Sequence, residues 1–149
     1  QIPQESLSVK NPLTEDFTTL RPALYPNLLE IFANSKSQPM PQCLYELGPI
    51  IKKQSGEFSQ FTHLAFANAN PKSNFSQIHS HLLSLLSSLA VRFELKEKPI
   101  SGFITGRCAA IIIDSKEAGI IGEVHPQVLE NFSIEQPVAL FELDCAFLP

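Results

Sequence analysis

Carboxylates on predicted strands are the first candidates for chemistry in this sequence, because a positioned carboxylate can donate or accept a proton. The alternation of side chains along a strand could bring some of them onto one face. Nothing in the sequence pairs them with a nucleophile or a second acid, and spacing alone supports no Ser/His/Asp or Cys/His arrangement. The carboxylates are Glu46, Glu94, Glu123, Glu142 and Asp144. The residues by themselves therefore predict no catalytic set.

His79 and His81 are the candidate metal ligands, because imidazole nitrogen is a common ligand of zinc. Both lie in a segment of helical periodicity. Side chains two positions apart on a helix diverge by about 200°, so these two rings cannot share one ion. A zinc site would need further ligands from elsewhere in the chain. We therefore predict no metal site.

Four glycines could suggest a phosphate-binding loop, which needs glycines at the start of a helix. Gly102, Gly106, Gly119 and Gly122 are instead spread over strand-like segments. No Gly-Lys-Ser or Gly-Lys-Thr run accompanies them. Turns and close approach of the backbone are the favoured interpretation of these positions.

The three cysteines, Cys43, Cys108 and Cys145, are far apart in sequence and lie in apolar, strand-like runs. An odd count without a Cys-x-x-Cys pair is typical of a reducing compartment and not of a disulfide framework. A free thiol in such surroundings behaves as a small hydrophobe. We expect all three to be reduced and at least partly buried.

Length and charge exclude several classes of protein. The 149 residues fit one globular domain, spanning 1–149. A formal charge of −4 with scattered basic residues argues against an autonomous nucleic-acid platform. No apolar run approaches the roughly 20 residues of a membrane span, so no membrane association is expected. The chain begins at Gln1 without an initiator Met, which suggests an excised piece of a longer protein.

Two helices must position these groups. The first is predicted near Ala23–Asn34, where apolar residues recur at helical spacing. The second is predicted over Asn74–Ala90, with Asn74 as N-cap and Gln77 completing a capping box. A shorter helical turn is predicted over Gln127–Asn131.

The remaining segments read as strands, because they are rich in β-branched and aromatic residues and are separated by polar turns. Consecutive strands joined by tight turns imply antiparallel pairing. We therefore predict an α+β fold in which the two main helices lie on one side of an antiparallel sheet. The predicted strands are Cys43–Lys53, Thr62–Asn68, Val91–Lys96, Arg107–Asp114, Ala118–Val124 and Val138–Cys145.

Five ordered blocks, from Asn11 to Asp144, carry a family resemblance. They are Asn11–Thr14 with Leu20–Leu29, then Tyr45–Gly48, Asn74–Ser76 with Ile78, Gly106–Ala109, and Gly119–Leu129 with Phe141–Leu143. In this order they resemble the signatures of the phenylalanyl-tRNA synthetase β subunit of the archaeal and eukaryotic type. The blocks depart from the family pattern at Ala23, Asn27 and Thr105, where the family has Ser, Gly and Pro.

The resemblance implies a class II aminoacyl-tRNA synthetase-like antiparallel sheet flanked by helices, in a β subunit that partners a catalytic α subunit. It implies no catalytic, cofactor-binding or metal-binding residue in this domain. ATP and Mg, like tRNA(Phe), would be bound by the whole cytoplasmic enzyme. The signature residues, for which structural roles are expected, are Asn11, Pro12, Arg21, Gly106, Arg107, Gly119, Gly122, Glu123, His125 and Pro126.

The arginines that grip ATP phosphates in such a core are missing from the expected places. The chain has only Arg21, Arg92 and Arg107. The Arg-x-Glu of Val91–Glu94 follows a helix, which favours coincidence, and Arg107 is a candidate to pair with Glu123. The resemblance therefore predicts an assembly module that packs against the α subunit. An active or ligand-binding domain acting on its own is the alternative.

An assembly role predicts an exposed apolar surface, because large obligate interfaces are apolar. Two contributors are expected from the sequence. They are the Phe58–Phe61 turn and the Ser-rich face of the second helix, with Ser80, Ser84, Ser87 and Ser88.

Overall fold

Three helices and eight strands make up the part of the chain that the structure describes. The computed structural model describes residues 7–8, 19–54 and 56–149. The elements in chain order are β1 (Leu7–Ser8), β2 (Thr19–Leu20), α1 (Tyr25–Asn34), β3 (Gln42–Gln54), β4 (Glu57–Ala69), α2 (Phe75–Ser88), β5 (Glu94–Glu97), β6 (Phe103–Ile113), β7 (Lys116–Val124), α3 (Pro126–Asn131), β8 (Val138–Asp144) and a final 3-10 turn (Cys145–Phe147). Both predicted helices, the shorter helical turn and the six predicted strands are confirmed.

Six of the strands form one antiparallel sheet in the order β3-β4-β8-β7-β6-β5. The tight turns predicted from the sequence join β3 to β4 and β6 to β7 as antiparallel hairpins. Strand β8 enters between the two hairpins and pairs with β4 on one side and β7 on the other. The α+β class and the antiparallel pairing are therefore as predicted.

The two main helices lie on opposite faces of the sheet, so the prediction that they share one side is wrong. Successive residues of a strand point to opposite faces. In β8, Leu140 packs in the cluster that contains Leu28 of α1, whereas Phe141 packs in the cluster that contains Leu82 of α2. The sequence concealed this because both faces of β8 are buried, which removes the polar alternation that marks a one-sided strand.

The two helices begin in different ways. The Asn74 side chain accepts a hydrogen bond from the Gln77 N–H (3.0 Å), so the predicted N-cap of α2 is confirmed. The reciprocal half of the capping box is not formed, because the Gln77 amide oxygen accepts from Asn70 Nδ2 (3.4 Å). Helix α1 has no side-chain cap from its own N-cap residue, Leu24, and its first donors are satisfied from β8.

The cysteines are free thiols in three environments. Cys108 is buried and Cys145 is half-buried, as expected, but Cys43 is exposed. That correction follows from β3, where the Cys43 side chain points to the face that carries α2 but lies beyond the strands over which α2 packs. Burial and the neighbouring Asp144 carboxylate raise the pKa of the Cys145 thiol above its ordinary value.

None of the described helices is both long and apolar enough to cross a membrane.

Candidate functional site

A buried carboxylate, Glu142, joins the central strands to the start of α1. Its Oε1 lies 2.7 Å from Nδ1 of His63 on β4. Its Oε2 accepts hydrogen bonds from the backbone N–H groups of Leu24 (2.9 Å) and Tyr25 (3.0 Å). Only 3% of Glu142 and 4% of His63 are exposed. Because the first N–H groups of a helix have no intrahelical acceptor and carry partial positive charge, this carboxylate replaces the missing N-cap.

The same carboxylate affects Tyr25, whose ring meets Phe103 edge-on at 5.7 Å. Burial, followed by the negative charge of Glu142, raises the pKa of the Tyr25 phenol to about 12. The phenol pKa is about 10 in the unfolded chain, so its higher value in the folded state stabilises the protein fully at pH values below 10. This contribution is lost as the pH rises toward 12.

Alkaline titration should reveal this stabilisation. Between pH 10 and pH 12 we expect the free energy of unfolding to fall by about 2–3 kcal/mol through Tyr25 alone. Urea denaturation at a series of pH values measures it, and Tyr25→Phe should lack this component. Equal pH dependence in the wild type and in Tyr25→Phe would contradict the assignment.

A cavity of about 570 Å³ opens beside the Glu142 pair. Its lining includes two lysines, Lys52 and Lys53, with His63 and the carboxylates Glu117, Glu142 and Asp144. No arginine is among its described lining residues. Arg92 lines a different depression, between the end of α2 and the β6–β7 turn.

A second carboxylate, Glu123 on β7, makes the equivalent connection to α2. Its Oε1 accepts from the Phe75 N–H (2.8 Å) and its Oε2 accepts from Nη1 of Arg107 (2.9 Å). The expected pairing of Arg107 with Glu123 is thus confirmed, and this hydrogen bond raises the pKa of the Arg107 guanidinium. Each main helix therefore begins at a carboxylate supplied by the sheet.

The signature glycines occupy positions that a side chain would disturb. A Cβ at Gly119 would lie 2.1 Å from the Glu142 carbonyl oxygen, and one at Gly122 would lie 2.7 Å from Cys108 Cβ. Gly106 has a φ of +79°, which L-residues rarely adopt.

Three further signature residues lie at turns and strand edges. His125 Nδ1 accepts from the Gln127 N–H (3.1 Å) where α3 starts, and Pro126 opens that helix. Arg21 donates from Nε to the Pro49 carbonyl (3.0 Å) and pairs with Glu46.

The two histidines of α2 contact different rings, His81 that of Phe66 and His79 that of Phe93.

Apolar side chains are exposed along the first half of β3, which the sequence analysis did not name among the contributors to an exposed apolar surface. Tyr45 is 75% exposed and Leu47 is 62% exposed, and Cys43 stands in line with them. We call the surface of Cys43, Tyr45 and Leu47 the open β3 face. Helix α2 shares this side of the sheet but packs over β7 and β8, and it leaves this side of β3 uncovered.

An open groove of about 750 Å³ continues the open β3 face toward α2. It is lined by Met40 and Cys43 on one side and by Gln77, Ser80 and His81 of α2 on the other. The Ser-rich face of α2 that the sequence predicted as an interaction surface therefore borders this groove through Ser80. The other predicted contributor, Phe58–Phe61, is not a turn, because the β3–β4 hairpin continues through it and these residues begin β4. It exposes 47% of Phe58.

Comparison with known proteins gives the family. The family model of the phenylalanyl tRNA synthetase beta chain CLM domain matches residues 2–145. The chain belongs to this family. It is 37% identical over 141 residues to the phenylalanine–tRNA ligase beta subunit of Archaeoglobus fulgidus, covering 95% of this chain and 25% of that subunit. The corresponding subunit of Korarchaeum cryptofilum is 36% identical over 143 residues, covering 94% of this chain and 26% of that subunit.

This β-chain domain thus spans about a quarter of the length of those relatives. Among solved structures it is similar to Desulfitobacterium hafniense PylSc, a pyrrolysyl tRNA synthetase, with a TM-score of 0.69 and 20% identity over 85% of this chain and 47% of that chain. That likeness shows the fold alone, and it confirms the synthetase-like α+β architecture.

The structure does not gather the described signature residues of the β-chain domain into one site. Arg107 and Glu123 meet, and Gly119 packs against the backbone of Glu142. Arg21 lies at the outer edge of β3. Asn11 and Pro12 lie outside the described residues. Glu142, for which the sequence suggested no partner, hydrogen-bonds to His63 and to the start of α1.

Proposed function

We propose that this β-subunit domain is a non-catalytic assembly module of phenylalanine–tRNA ligase, which packs against the α subunit through the open β3 face. The α subunit then charges tRNA(Phe) with phenylalanine, and ATP and Mg are bound there, within a cytoplasmic heterotetramer. The observation that carries the proposal is the exposure of Tyr45 and Leu47 on the side of β3 that α2 leaves uncovered. Aromatic and aliphatic side chains of this kind are the usual anchors of protein interfaces.

The charges around the cavity support a non-catalytic role. A triphosphate needs donors that match its oxygens, and the guanidinium fork is the best of these. Two of the chain's three arginines are engaged by carboxylates, Arg21 by Glu46 and Arg107 by Glu123. The third, Arg92, lines a different depression. Three carboxylates line the cavity together with two lysines, and their negative charge disfavours a polyanion.

Pyrophosphate exchange tests the absence of chemistry. We expect exchange dependent on phenylalanine and ATP to stay at the level of a buffer blank, because each preorganised contact to the transferring phosphate is typically worth several kcal/mol. Arg92→Ala should leave that background unchanged. Exchange clearly above the blank and abolished by Arg92→Ala would instead support the alternative, an active synthetase-like domain acting on its own.

A further inference from the structure

The outer edge of β3 carries unpaired backbone groups. Among the described strands, β3 has one neighbour, β4. In an antiparallel ladder the N–H and C=O of one residue point to the same side, and this side alternates along the strand. The Ile51 N–H donates to the Arg21 carbonyl, and the Pro49 carbonyl accepts from Arg21 Nε, each at 3.0 Å. Odd-numbered residues of β3 therefore direct their backbone groups away from β4, where the missing N–H of Pro49 is tolerated.

By this alternation, Cys43, Tyr45 and Leu47 present three N–H and three C=O groups at the open edge. Within the described chain, no backbone group from another segment pairs with them there. Their side chains are also those of the open β3 face. One stretch of five residues therefore offers both backbone hydrogen bonds and apolar side chains to the same occupant.

Most sheet edges in soluble proteins are protected by charge, proline or short length. The opposite edge of this sheet follows the rule, because β5 has four residues and three of them are charged. The second half of β3 follows it as well, since Arg21 covers the edge at Pro49 and Ile51. Cys43, Tyr45 and Leu47, whose backbone groups point away from β4, are neither charged nor proline, and no described residue covers the edge beside them.

We propose that an extended segment of the α subunit adds as a further strand beside Cys43–Leu47. Strand addition of this kind takes affinity from backbone hydrogen bonds and specificity from pockets for alternate side chains. On the side of the sheet that carries α2, side chains of the added segment would pack beside Cys43, Tyr45 and Leu47. The inference rests on the proposed function and specifies how the α subunit is bound.

The space along the edge favours a short segment over a second copy of this chain. Two β3 strands paired antiparallel about Tyr45 would bring Pro41 of one copy against Pro49 of the other. At that point Arg21 already occupies the edge. A segment of about five residues ends before this obstruction, and its extended length is roughly 17 Å.

Amide hydrogen exchange, followed by NMR on the labelled chain with and without purified α subunit, tests the proposal. The amides of Tyr45 and Leu47 should exchange at least about tenfold more slowly in the complex. Those of Leu44 and Glu46, which face β4, should be protected in both states, and those of β5 should not change.

The outcomes separate the two proposals. If the complex forms and the Tyr45 and Leu47 amides keep their free exchange rates, strand addition is wrong while the proposed function stands. If no complex forms, the proposed function fails as well. Protection in the chain alone, with a doubled mass in light scattering, would assign the edge to a second copy and overturn the α-subunit segment.

A pair of substitutions isolates the backbone contribution. Tyr45→Ala removes the side chain and keeps the N–H, whereas Tyr45→Pro removes both without touching a hydrogen bond to β4. We expect Tyr45→Pro to bind the α subunit at least about fivefold more weakly than Tyr45→Ala, the equivalent of one lost hydrogen bond. Equal affinity of the two folded variants would contradict strand addition.

Discussion

Replacing Glu142 by alanine is expected to lower the free energy of unfolding by about 3–5 kcal/mol, the usual result of removing one partner from a buried pair. The substitution leaves His63 Nδ1 without its carboxylate and the N–H groups of Leu24 and Tyr25 without their acceptor. All of these groups lie where the sheet meets the first helix. The start of α1 should therefore fray before the rest of the fold. Urea denaturation measures the energy, and exchange of the α1 amides locates it.

Two further variants define the origin of that loss. Glu142→Gln keeps the shape and one acceptor oxygen, so it should cost only about 1–2 kcal/mol. Glu117→Ala removes an exposed carboxylate paired with Lys98 (2.8 Å), and exposed pairs contribute about 1 kcal/mol or less. If Glu142→Ala proves no more destabilising than Glu117→Ala, the buried carboxylate does not hold α1 to the sheet.

The elements themselves could be predicted from the sequence, because their signals are local. The stripe of apolar residues in α2 and its Asn74 cap lie within a few residues of each other. The polar turn between β3 and β4 fixes their antiparallel pairing in the same way. Strand boundaries differ by up to five residues, as at Glu57, because the β3–β4 hairpin continues beyond its apolar part.

The arrangement of the site could not be predicted, because its contacts join residues far apart in the chain. Glu142 is separated from His63 by 79 positions and from Leu24 by 118. Periodicity gives no information over such distances. The pairing of Arg107 with Glu123 spans only 16 positions on adjacent strands, and the sequence did suggest that contact.

The open β3 face was missed for a related reason. Cys43, Tyr45 and Leu47 are types of residue that are often buried, so their presence in a strand does not point to an exposed face. Whether an apolar strand face is covered depends on which strands a helix crosses. Because α2 packs over β7 and β8, the exposure of Tyr45 is a property of the sheet order and not of the β3 sequence.

The most direct test of the account is the affinity of this chain for the α subunit, measured by titration calorimetry with side-chain variants. The wild-type chain should bind, and Tyr45→Glu with Leu47→Glu should weaken binding at least about a hundredfold, because truncating or charging two interface anchors typically costs 2 kcal/mol or more each. Ile31→Glu is the matched control, since Ile31 is 45% exposed on α1 at the opposite face. Its affinity should equal that of the wild type.

Equal affinity of the Tyr45/Leu47 variant and the wild type would contradict docking through the open β3 face. No binding by the folded wild-type chain would contradict the assembly role itself.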